Sequence, residues 1–162
     1  MSFEEIRVIT VVYLAVFLPL LVYFQNKTRL PSWVPTFYIV GVIVCALGWE
    51  LWFTYGWLDG DSVALRRSVA LNNWLPKNIN WLMNSMGDAG AVLLGGAWIM
   101  WLSHKKDVSV FKEWKWSAFC ILLMWCIGQN ILVEMFLYHD QLAEGKPLSC
   151  LLYTSDAADD LG

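Results

Sequence analysis

Three carboxylic acids, Glu50, Asp88 and Glu134, stand alone inside otherwise apolar stretches of this chain. An ionisable side chain in such a stretch costs roughly 2.5–3.5 kcal/mol on membrane-insertion scales, so it is kept where it faces a protein interior or a wet cavity. Each acid belongs to a polar stripe at helical spacing. Asn80, Asn84 and Asp88 recur every four residues, and Asn130, Glu134 and Tyr138 repeat the pattern, with Gln129 beside them. Glu50, Thr54 and Trp57 form the third stripe. Gathered together, three carboxyls repel one another unless some are protonated or paired with a cation. A protonated carboxyl beside a carboxylate is an acid–base pair. Asp88 and Glu134 are the candidates for that pair. Glu50 is the candidate for orienting a ligand or stabilising a developing positive charge, with Trp49 and Trp52 adding cation–π attraction. Asn84, Asn130, Gln129 and Tyr138 complete the expected ligand-binding set. Taken singly, a polar residue of this kind is more simply helix-to-helix glue, at about 0.6 kcal/mol per contact. Three carboxyls are more than glue needs.

The elements that must position these residues are membrane helices. Hydrophobic residues make up 58% of the chain and charged ones 15%, against roughly 45–50% and about 25% in soluble domains. That balance excludes a disordered chain, a basic nucleic-acid binder and an ordinary water-soluble enzyme. Crossing the hydrocarbon core takes about 20 apolar residues of helix. Four runs qualify: residues 6–24, 37–57, 79–102 and 116–138. They are continuous rather than alternating, so strands are excluded and backbone groups must be satisfied within helices. The expected fold is all-α, a polytopic transmembrane bundle with four visible spans. Pro19 is expected to kink the first, which is no cleavable signal because Glu4 and Glu5 precede it.

Residues 25–36 and 103–115 are short connections holding six Lys and Arg, against five on the opposite side. The positive-inside rule then puts these loops in the cytoplasm, and a bacterial inner membrane is the expected location. Residues 58–78 are long enough for structure of their own, with Asp61 or Ser62 capping an interfacial helix that runs to about Leu75. Arg66 and Arg67 read as headgroup contacts, and Asp59 with Asp61 as a turn and cap. At about 1.5 Å rise per residue, Asp88, Glu134 and Glu50 lie roughly 13, 6 and 10 Å from the face bearing that long loop. They converge into one outer-leaflet pocket, and Ala91 with Gly95 continue the Asp88 face as small residues that admit another helix.

Other chemistry finds no support. His104 and His139 sit at opposite faces and cannot share a metal or haem, so neither a metal nor a cofactor is expected. There is no phosphate-cradling glycine loop and no serine in a nucleophile elbow. Cys45, Cys120 and Cys126 read as small apolar packing residues. Residues 150–159, CLLYTSDAAD, look like a translated sequencing adapter. Native chain is therefore expected over residues 1–149, continuing into a further span, with 150–162 as a non-native tail. Without that tail the formal charge of −3 becomes zero.

The layout resembles the emopamil-binding and sigma-2-receptor-like (EXPERA) family of sterol and lipid proteins. The resemblance rests on Glu50, Asp88, Gly128-Gln129, Glu134 and Tyr138, over about residues 49–138. It implies a lipid ligand and a fifth helix. The family's isomerases carry a His one turn before the second-helix Glu, where this chain has Ala46, and the span-four acid and Tyr are each displaced by one residue. The leading expectation is a membrane protein binding a lipid or isoprenoid-like ligand, with acid–base isomerisation as its enzymatic form. A proton- or cation-coupled transporter and a structural subunit of a membrane complex are the alternatives.

Overall fold

The computed structural model describes residues 1–58 and 60–133, and every regular element among them is helical. Helix α1 (Phe3–Asn26) begins three residues ahead of the apolar run because a capping box starts it. Ser2 Oγ accepts from the Glu5 amide at 3.2 Å, and the Glu5 carboxylate accepts from the Ser2 amide at 2.7 Å. The helix continues without interruption through Pro19. Proline has no N–H, so the Ala15 carbonyl four residues back loses its helical partner. Gly90 lies against that carbonyl so closely that a Cβ there would stand 2.9 Å from it.

The second apolar run is not one straight helix. It divides at Gly48 into α2 (Val34–Leu47) and α3 (Trp49–Tyr55), bent by 45°. A Cβ on Gly48 would meet the Val44 carbonyl at 2.7 Å, so the break needs a glycine there. Gly56 then ends α3 in the left-handed region, its amide donating to the Trp52 carbonyl at 3.0 Å.

The long connection holds two short helices, α4 (Val63–Arg66) and α5 (Val69–Trp74), where one was expected. Arg67 is extended between them, and Ser68 starts α5 afresh by accepting from the Leu71 amide at 3.3 Å. The segment has one face turned into the protein, while Leu65, Val69 and Trp74 stay exposed. Leu71 and Leu75 are buried in a core with Val8, Ile9, Val12, Val16 and Met83, so it plugs one end of the bundle. Tyr13 fastens it by donating to the Trp74 carbonyl at 3.2 Å, and Ser68 donates to Glu5.

The third run is the hub. It comprises α6 (Lys77–Asp88), a π-helical segment (Ala89–Leu94) and α7 (Gly95–Ser103). Helices α1 and α2 pack on α6 and the π segment, α3 packs on α6, and α8 (Trp116–Leu132) packs on α7 and the π segment. A 3-10 turn (Val108–Phe111) precedes α8.

Phe3–Asn26 and Lys77–Ser103 are each long and apolar enough to cross a membrane. The bent pair α2–α3 makes a third if it counts as one span, whereas the 17 residues of α8 fall short within the described chain. Four full spans are thus more than these helices supply by length. Only 17% of the most apolar stretch of α1 is buried against 39% of that in Lys77–Ser103, which marks the latter as the central helix. Leu14, Phe17, Leu21, Ile39, Ile43, Met124 and Ile127 are all exposed, a surface that a water-soluble monomer rarely carries.

Candidate functional site

Glu50 occupies the first turn of α3, just past the Gly48 break, and is 3% exposed. Thr54, one turn on and fully buried, donates to Glu50 Oε2 at 3.2 Å. Asn80 Nδ2 donates to Thr54 Oγ1 at 3.4 Å, which joins α3 to α6. Arg67 Nη1 donates to Asn80 Oδ1 at 2.8 Å, and its Nη2 donates to Asn72 at 3.1 Å and to the Leu75 carbonyl. The Asn84 side chain also reaches the Glu50 carboxyl. One further turn along α6, Asp88 is close enough for its charge to act on Glu50. Trp49, itself exposed, donates its indole N–H to Asp88 Oδ2 at 2.8 Å.

The predicted stripes on α3 and α6 therefore meet, because i, i+4 spacing survives on each helix and the two pack together. The stripe that begins on α8 behaves differently. Gln129 Nε2 and Asn130 Nδ2 both donate to the Cys126 carbonyl of their own helix, at 3.4 and 2.9 Å. Glu134 and Tyr138 lie outside the described residues, as do Asp59 and His139. Trp52 is half-buried and stacks edge-on with Phe53 at 4.9 Å. Trp81 donates to the Ala46 carbonyl at 2.8 Å, pinning α6 to α2.

The Asp88 face does not run on through Ala91 and Gly95. A π segment carries more residues per turn than an α-helix, so the register shifts immediately after Asp88. Ala91 and Gly95 instead line an apolar cavity facing α1 and α8. Trp125 of α8 donates to the Ala91 carbonyl at 2.8 Å and packs its ring where a Cβ on Gly95 would stand, 3.4 Å away.

Arg67 is the residue that the sequence pattern misplaced, and its neighbour Arg66 is partly drawn inward with it. Arg66 donates to the Phe53 carbonyl at the end of α3, and burial lowers its pKa. Arg67 is 7% exposed. Arg67 is therefore turned inward rather than toward the surface, while Arg66 is half-buried. No periodic signal marks an inward arginine on a loop, and only the extended backbone between α4 and α5 turns Arg67 toward α6. Its guanidinium only donates, so it anchors the chain of hydrogen bonds that runs from Glu50 through Thr54 and Asn80. Among the described residues no group of three or more His, Cys, Asp or Glu could hold a metal ion. No family model, no curated protein and no solved structure matches this chain.

Proposed function

We propose that this is a multi-pass membrane protein that binds a lipid- or isoprenoid-like amphiphile by its polar end at Asp88, Trp49 and Glu50. In this reading α1, α2–α3, α6–α7 and the helix beginning with α8 are the four passes. The two basic loops face the cytoplasm of a bacterial inner membrane, and the α4–α5 plug faces outward. The observation that carries the reading is the Trp49–Asp88 pair. An indole that is 47% exposed is tied at 2.8 Å to a half-buried acid, with a second acid buried beside it. A hydroxyl or cationic head entering from the bilayer meets an acceptor and an aromatic face together. Glu50 supplies a second carboxyl deeper in, held by Thr54 and Asn84.

Acid–base isomerisation of the EXPERA kind is the enzymatic form of the same proposal, with Asp88 and Glu50 as the carboxyls that lie near each other and Glu134 as the outstanding candidate. Passage of protons or cations is the weaker reading. The polar chain ends on Arg67, whose fixed positive charge opposes a cation and whose protons are not released.

Purified protein in mild detergent, titrated separately with geranylgeranyl amine, alcohol and phosphate, tests the reading through thermal stability. The amine and alcohol should raise the melting temperature and the phosphate should not, because the site is acidic. Asp88→Asn should abolish the response to the amine. Stabilisation by the phosphate alone, or by none of the three, would remove the proposal.

A further inference from the structure

A cavity of about 350 Å³ lies between α1, the π segment, α7 and α8, and it shares no residue with the Glu50 cluster. Its size falls at the lower end of ligand pockets, which run from about 300 to 1,000 Å³. Its walls are aliphatic and aromatic, including Leu14, Leu18, Trp98 and Trp125. The space exists because Ala15, Ala91, Gly95 and Ala97 present almost no side chain to it. The Trp125 N–H is already spent on the Ala91 carbonyl. Water needs two to four polar partners to stay in such a place, and close packing disfavours leaving it empty. An apolar chain satisfies both conditions.

One part of the wall is built from Leu30 and Phe111, which belong to the two basic loops. Trp33 packs edge-on against Phe111 at 5.8 Å and holds those loops together. Lys27, Arg29 and Lys112 are exposed and are neighbours in the chain of these wall residues. Three exposed cations thus stand close in the chain to this part of the wall. We infer that the cavity holds one acyl chain of an anionic membrane phospholipid, with its phosphate against Lys27, Arg29 and Lys112. The inference rests on the multi-pass reading above but is independent of any ligand at Glu50.

Tryptophan quenching by bromine-labelled acyl chains tests it, because Trp98 and Trp125 line the slot. The full chain is placed in phosphatidylcholine nanodiscs containing a small fraction of either brominated phosphatidylglycerol or brominated phosphatidylcholine. The anionic lipid should quench about threefold more at equal mole fraction and low salt, since each basic residue near a bilayer surface favours anionic lipid. Ala97→Leu, which fills the slot, should erase the excess. The combined Lys27→Gln, Arg29→Gln and Lys112→Gln variant should erase it as well. That triple variant removes no packing, so it keeps the test decisive if Ala97→Leu fails to fold. Equal quenching by the two lipids in the unmodified protein, or an excess that survives the triple variant, overturns the inference. Displacement of the excess by equimolar geranylgeranyl phosphate overturns the phospholipid assignment in favour of a free isoprenoid anion. Failure here would leave the amine and alcohol response at Asp88 untouched, so the two proposals fall separately.

Discussion

Arg67 Nη1 donates to Asn80 Oδ1 at 2.8 Å, so a loop arginine and a polar residue of the central helix share one buried bond. The same guanidinium serves Asn72 and the Leu75 carbonyl. Removing it strands several buried acceptors at once. Arg67→Leu should therefore lower unfolding stability by about 3 kcal/mol, the lower end for breaking a buried charged contact. Arg67→Lys should cost less, because it keeps the charge but loses the planar fork. Thermal unfolding of the three proteins in one detergent checks this. A melting temperature unchanged by Arg67→Leu would mean that the plug is held by Leu71 and Leu75 alone.

Asp88 offers a cleaner separation of function from fold. Asp88→Asn retains an oxygen to accept the Trp49 N–H, so its stability should stay within about 1 kcal/mol of the parent, the value of one ordinary hydrogen bond. Asp88→Leu leaves that indole without its acceptor and should cost about 1–3 kcal/mol. Binding of the amine and any turnover should be lost in both variants, because neither can carry charge or release a proton. Full function in both would reduce the acids to helix glue, as expected of a purely structural subunit.

Two glycines should respond oppositely to alanine. A Cβ at Gly90 would stand 2.9 Å from the Ala15 carbonyl, a backbone atom that cannot swing away. Gly90→Ala should push α1 off the π segment and cost about 1–3 kcal/mol. Gly128 on α8 has nothing within 4 Å of its Cβ position. Gly128→Ala should be neutral or stabilising by up to about 1 kcal/mol, from helix propensity alone. Equal melting temperatures for the two variants would show that the Pro19–Gly90 crossing is not close-packed.

The 3-10 turn before α8 should titrate in acid. Asp107 accepts hydrogen bonds from the Ser109 side chain and amide and from Lys115, which lower its pKa from 3.8 to about 2. A depressed carboxylate stabilises the fold above its unfolded value and loses that contribution as pH falls through the folded value. Local order in the turn should therefore hold above pH 3.8 and be lost toward pH 2. Fluorescence of the adjacent Trp114 and Trp116 reports it. In Asp107→Asn that acid step should be absent, and a step that persisted would assign the titration elsewhere.

Helicity and the acidic stripes were legible in the chain because both are local. A run of apolar residues must satisfy its own backbone, and spacing by four places side chains on one face wherever the helix packs. Glu50 with Thr54, and Asn80 with Asn84 and Asp88, needed nothing more than that. The side of each helix that meets a neighbour was not local. Gln129 and Asn130 carry the same spacing yet bond to their own Cys126 carbonyl, because α8 presents Trp125 rather than its amides to the π segment.

The amino-acid sequence by itself determined an apolar, helical chain with polar, acid-bearing stripes on its helices, since transfer energies and helical periodicity depend only on residue type and spacing. The tertiary structure decided the rest. Hydropathy averages over a whole span, so it passes over the 45° break at Gly48 and the π segment after Asp88. At Gly48 a Cβ would meet the Val44 carbonyl, and within the π segment a Cβ on Gly90 would meet the Ala15 carbonyl of α1. The inward turn of Arg67 is likewise a tertiary outcome, since Asn80 and the Leu75 carbonyl become its partners only once the α4–α5 plug has closed on α1 and α6.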